Sequence, residues 1–279
     1  MSFDADLTAC AQLVERGDPD RFAATMAAPV EARKILFPIY AFNIEVARAP
    51  WVTQEPLIAE MRLQWWQDAL DEIAAGGVVR RHEVVTPLAN VLTPDTAALL
   101  TRNVDARRRD AQRLPMETLD ELTTYLSETA GTLMWAVTRA LAPTADWEPV
   151  VEAGPSDLGS WQTKVRDRSM AVGSALGLAN YLLAVPVFLQ RSMNPLPEMT
   201  ESAFADLLDR NLSKADAKGT PLQAPVKQAQ RIAELSAWRT KPILERAKRD
   251  PAAVPEGRLE GTPAERSFRL MWQSLKLRF

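Results

Sequence analysis

Cysteine and histidine are nearly absent: Cys10 and His82 stand alone among 279 residues. One thiol excludes an intrachain disulfide and fits a reducing compartment, and Cys10 reads as an unreactive thiol near the N-terminus. One thiol and one imidazole cannot build a His/Cys zinc site. A nucleophilic triad would rest on His82 alone, which sits in the polar stretch Arg80-Arg81-His82-Glu83 and reads as a non-catalytic surface side chain. Excess positive charge is missing as well. The formal net charge is −3, so no overall field draws the chain to nucleic acid or anionic lipid. Nor is there an unbroken apolar run of spanning length. The most apolar stretch, 170–189, is interrupted by Asn180, Tyr181 and Pro186, and reads as a buried helix with no transmembrane segment expected. The N-terminus lacks the basic start and apolar run of a secretory signal, and Asp4 and Asp6 argue against a mitochondrial presequence. A cytoplasmic location is expected.

What remains is an ordinary globular composition, 47% hydrophobic and 25% charged, in a chain long enough for a sizeable core. No segment alternates apolar and polar residues as a half-buried strand does; helical spacing runs throughout. Helices are predicted over 4–16, 18–26, 29–49, 57–75, 86–92, 94–112, 118–141, 162–191, 201–212, 225–249 and 264–277. Pro38 predicts a kink or break in the third of these, and Pro186 a bend in the long apolar one. Thr118 with Glu121 three residues on forms a capping box. The stretch 142–160 reads as an irregular connection. Short loops, no repeat and no linker make a single all-α domain over 1–279 the economical reading, with Leu133, Trp135 and Leu178 buried.

Few side chains are spaced for chemistry. Asp68 and Glu72 lie one helical turn apart, as a carboxylate pair holding Mg²⁺ would, but a solvated helix face explains them equally. Arg107-Arg108-Arg109, bracketed by Asp105 and Asp110, is the densest basic run and a candidate contact for a phosphate or lipid headgroup; ion pairs within the helix account for it too. Trp65 and Trp66 are adjacent and point about 100° apart around their helix, so one belongs to the core and the other to a neighbouring helix or a pocket.

Taken in order, several segments resemble the squalene and phytoene synthases. Leu36 to Asn43 (LFPIYAFN) is similar to that family's LYAFCR helix, and Met61 to Leu70 (MRLQWWQDAL) to its RLQWWRDAL segment. Thr118-Leu119-Asp120-Glu121-Leu122 with Tyr125, then Ala130-Gly131-Thr132, and Leu176-Gly177-Leu178-Ala179 before Pro195-Leu196-Pro197, follow at similar distances. The likeness covers roughly 18–208. It lies nearest the branch that includes the phytoene-synthase-like assembly factor of mitochondrial complex I and its bacterial relatives.

The resemblance implies an isoprenoid-synthase-like helical bundle around a central cleft, with Phe42, Trp65, Trp66, Tyr181 and Phe188 as candidate pocket lining and Gly131 at a close helix crossing. It also shows departures. Where active members of the family place two pairs of Asp, this chain reads Ala47 and Trp51, then Phe188 and Ser192. Two diphosphates and their Mg²⁺ ions have no evident anchor without those acids. The resemblance therefore implies a pseudoenzyme with no metal site, no catalytic residue and no cofactor. Its expected partners are a respiratory complex subunit or an apolar lipid or prenyl ligand. Its expected place is the cytoplasm or the inner membrane face as a peripheral protein. The alternative is a divergent prenyl transferase using Mg²⁺ with Asp68, Glu72 and residues 107–110.

Overall fold

Capping side chains decide where several of the helices begin. In the computed structural model, which describes residues 5–145, 147, 161–216 and 222–275, α1 (Ala5–Gly17) gives way to α2 (Pro19–Ala27) at Asp18. Asp18 Oδ1 accepts the Arg21 backbone N–H at 2.9 Å, and Pro19 fills the first turn, where its missing N–H costs nothing. α3 (Val30–Arg48) runs through Pro38 as one helix, so of the predicted kink or break the break does not occur; the proline lies in a run of buried residues, 36–43. α4 (Pro56–Ala74) is followed by Gly76 at φ 66, a left-handed residue that suits glycine.

Three short helices come next, α5 (Val85–Ala89), α6 (Pro94–Ala106) and α7 (Arg108–Ala111). α8 (Leu119–Leu126) starts at Thr118, whose hydroxyl accepts the Glu121 N–H at 3.1 Å, so the capping box predicted there forms. The predicted single helix to 141 is continuous but not uniform. Ser127–Gly131 is a π-helical turn, and α9 (Thr132–Leu141) resumes the α-helical form. Widening the turn changes which carbonyls are used inside the helix. The buried Asn103 amide answers by donating to the Thr129 carbonyl at 2.7 Å.

α10 (Trp161–Gln190) is the axis of the molecule, packed on α8, the π turn, α9 and three later helices. It is long and apolar enough to cross a membrane by length and composition, yet Val172 to Ala179 are all buried against protein. Pro186 does not end it. α11 (Glu201–Asp216) follows. The predicted helix over 225–249 is instead two, α12 (Ala224–Glu234) and α13 (Thr240–Arg249), joined by a tight turn at Leu235–Ala237. Pro242 lies in the first turn of α13, where a proline is tolerated. Trp238 fixes the break by donating its indole N–H to the Asp20 carbonyl at 3.2 Å, while Arg239 pairs with Asp20 and Glu260. α14 (Pro263–Leu275) closes the described chain and leaves Phe268, Met271 and Trp272 exposed. No strand occurs among the described residues, and most of the predicted irregular connection 142–160 lies outside them.

Two apolar clusters result. One gathers α1, α3, α4, α6 and α9, and includes Leu133 and Trp135; the other gathers α8, α10, α11 and α13, and includes Leu178. The π turn and α10 touch almost backbone to backbone. A Cβ on Gly173 would lie 2.6 Å from the Ala130 carbonyl oxygen and 2.8 Å from Gly131 Cα. One on Gly131 would meet the Met170 carbonyl oxygen at 3.0 Å.

Candidate functional site

Where the two clusters face each other they leave a cavity of about 940 Å³, within the usual range for small-molecule sites. Thr129 and Ala130 of the π turn, with Gly177 of α10, form its floor. Its mouth is built from Trp51, Arg113, Leu114, Phe188 and Ser192. Exposed Arg16, Leu114 and Ser192 show that the lining reaches the surface.

Aromatic contacts shape this mouth. Trp51 and Phe188 meet edge to face with ring centroids 5.3 Å apart, and Tyr181 lies 6.1 Å from Phe188. Arg113 and Arg191 both lie against the Trp51 ring, at 4.3 and 5.8 Å from its centroid. Tyr181 is tethered by donating its hydroxyl to the Pro195 carbonyl at 2.7 Å, and burial pushes its phenol up.

Deeper, the polar groups bond to one another. Arg107 Nη1 donates to the Tyr125 hydroxyl at 2.6 Å and to Asp110 Oδ2 at 3.3 Å, and the Tyr125 hydroxyl donates to that same oxygen at 2.7 Å. Burial pushes the Asp110 carboxyl above the ordinary range, with Arg107 pulling the other way, and burial pushes the Tyr125 phenol up as well. Asp18 is held by Arg21 at 2.5 Å. Asn43 is 7% exposed and lines the cavity.

Only part of the predicted site assembles here. Tyr181 and Phe188 line the cavity, as do Ala47, Trp51 and Ser192. Phe42 does not: it is sealed in the core, edge to face with Trp66 at 5.5 Å. Trp65 and Trp66 border a separate depression of about 230 Å³. His82 lies there too, against both indoles at 5.0 and 5.5 Å, and its Nδ1 accepts the Val84 N–H at 3.1 Å. It is half-buried packing rather than the free surface residue its polar neighbours suggest. Cys10 is buried, which pushes its thiol up to about 12.

Of the three consecutive arginines, Arg107 alone reaches the cavity. Arg108 pairs with Glu60 and Asp105, and Arg109 with Glu121 and the Pro115 carbonyl. The constellation of Asp68, Glu72 and 107–110 does not form. Asp68 is exposed and accepts from Gln64, and Glu72 is clamped by Arg80, which lowers its pKa. Sequence reasoning missed Asn43, Arg16 and Arg113 as lining residues. Arg113 had no local signal, because its place depends on the loop after α7 returning to donate to the Thr53 carbonyl at 3.1 Å.

Mg²⁺ in a helical cleft of this kind needs carboxylate oxygens free to take it. Among the described residues, the acids in the lining are Asp18 and Asp110, each already bonded to an arginine, beside five guanidiniums, those of Arg16, Arg21, Arg48, Arg107 and Arg113. No group of three or more His, Cys, Asp or Glu is placed to hold a metal ion among the described residues. The lining does not fit the metal.

An all-α fold with its cavity between α3 and α10 defines a class, and residues 14–264 match the squalene/phytoene synthase family: the chain belongs to it. A dehydrosqualene synthase solved with ligand shares the fold with a TM-score of 0.72 at 14% identity, covering 98% of this chain and 96% of that one. The squalene synthase HpnC from Alicyclobacillus acidocaldarius gives 0.53 at 15% identity, covering 98% and 92%. In sequence, the chain is 26% identical to the Drosophila melanogaster NADH dehydrogenase (ubiquinone) complex I, assembly factor 6 homolog, over 97% of this chain and 84% of that protein. It is 23% identical to the Mus musculus complex I assembly factor 6, over 67% of this chain and 52% of that protein. For the Bos taurus protein the match is 24%, over 45% of this chain and 38% of the relative.

Proposed function

We propose that this chain is a binding scaffold that serves the assembly of a respiratory NADH dehydrogenase complex, and that it does not carry out Mg²⁺-dependent prenyl transfer. The observation that carries this reading is the Trp51–Phe188 contact at 5.3 Å. These rings meet across the cavity at two positions where the family resemblance leads one to expect metal-holding carboxylates. Ionising an allylic diphosphate requires cations clamped on the leaving group, and two aromatic rings cannot hold them. The names borne by the relatives supply the assembly role. In this reading the cavity takes an apolar or amphiphilic molecule, and the protein works in the cytoplasm or at the inner membrane face as a peripheral component.

The test is to isolate the protein from its native host after gentle crosslinking and identify what accompanies it by mass spectrometry. Subunits of the NADH dehydrogenase complex are expected, together with a drop in assembled complex when the chain is deleted. A deletion strain with fully assembled complex and no crosslinked respiratory subunit would overturn the assembly role.

A further inference from the structure

The charge in the cavity wall is unevenly compensated. Asp18 and Asp110 neutralise Arg21 and Arg107, and Glu45 pairs with Arg48. Among the described residues no carboxylate pairs with the arginines at the mouth: Arg113 has a backbone carbonyl and an indole face, Arg191, beside the lining residue Ser192, lies against the same indole, and Arg16 lines the cavity outside any ion pair. Two like charges held against one ring repel each other unless an anion lies between them. The backbone is strained at the same place. Arg113 and Ser192 are the non-glycine residues with positive φ among those described, both at 58°, and both line this cavity. Such strain gathers at ligand clamps.

We propose that the cavity binds a single-chain amphiphile without a divalent metal. Its phosphate or carboxylate headgroup is held at the mouth by Arg113 and Arg191, with Arg16 adding to the field, and its tail passes Tyr181 and Phe188 toward the floor. Guanidinium groups bind such oxyanions directly, and their own charge repels a divalent cation. The inference rests on the cavity being a binding site, as in the function proposed above, and names what it takes.

The test is titration calorimetry on the full chain in EDTA, with decyl phosphate, decanol and inorganic phosphate as probes. Decyl phosphate is expected to bind at least about tenfold more tightly than decanol, and inorganic phosphate far more weakly than either. Arg113→Gln should weaken decyl phosphate by about tenfold and the more exposed Arg191→Gln by about threefold, both sparing decanol. Lysophosphatidate and farnesyl phosphate as further arms distinguish an acyl lipid from an isoprenoid as the source of the headgroup. Equal binding of decyl phosphate and decanol would overturn the headgroup site yet leave an apolar cavity. Binding of decyl phosphate only when Mg²⁺ is restored would overturn it as well. If no amphiphile enters, charged or neutral, the proposal fails together with the cavity reading beneath it.

Discussion

The floor and the mouth of one cavity are built on opposite terms. At the floor, the π turn and α10 approach so closely that a single methyl group on Gly173 has nowhere to go, because its neighbours would be backbone and Cβ atoms. At the mouth, the guanidinium groups of Arg113 and Arg191 lie against the Trp51 ring, and among the described residues neither pairs with a carboxylate. The floor is therefore fixed by steric necessity and belongs to the fold. The mouth rests on exposed and half-buried side chains, so substitutions there should leave the fold intact.

Substitutions can break that contrast at graded cost. Asp110→Ala, between the two regions, is expected to cost most, about 3–5 kcal/mol, because it leaves Arg107 buried and unpaired. Denaturant unfolding reads the loss. The milder Asp110→Asn addresses pH. Burial raises the folded-state pKa of Asp110, so the folded chain holds this proton more tightly than the unfolded one. The group's contribution to stability is then fullest below the ordinary carboxylate pKa and declines as pH rises through the raised folded value. Asp110→Asn should flatten that decline; an unchanged slope would show that another group sets it.

At the floor, Gly173→Ala should cost near the upper end of the roughly 1–3 kcal/mol typical of overpacking. A wild-type unfolding midpoint would mean that the crossing relaxes easily and that floor and mouth do not differ. Thr118→Ala removes the cap that starts the helix leading to the floor, at about 1 kcal/mol. Smallest of all, Arg191→Gln at the exposed mouth should change stability by no more than about 0.5 kcal/mol. A larger loss there would make the mouth part of the fold.

How far the sequence foretold this depends on whether the signal was local. The cap at Thr118 placed a helix start because a hydroxyl bonding to an N–H three residues on needs no tertiary context. The break before α13 was missed, because the apolar spacing runs on unchanged on both sides of it and its cause is tertiary, in the bonds of Trp238 and Arg239 to Asp20. The π turn was not legible either, since small residues such as Ala130 and Gly131 suit either form. In the site, the order of family-like segments pointed to Tyr181 and Phe188. It misplaced Phe42, Trp65 and Trp66, because neighbours on one helix point in different directions and only packing decides which faces a cavity. Arg113 came from a loop whose position only the fold determines.

The central claim is that this cavity binds without metal-assisted ionisation. Its most direct test is pyrophosphate release from farnesyl and geranylgeranyl diphosphate by the purified chain across a Mg²⁺ titration. The account predicts release no faster than in buffer at every Mg²⁺ concentration, with the protein folded throughout. Saturable, Mg²⁺-dependent release that disappears in Asp110→Asn would contradict it and make the chain a working prenyl transferase.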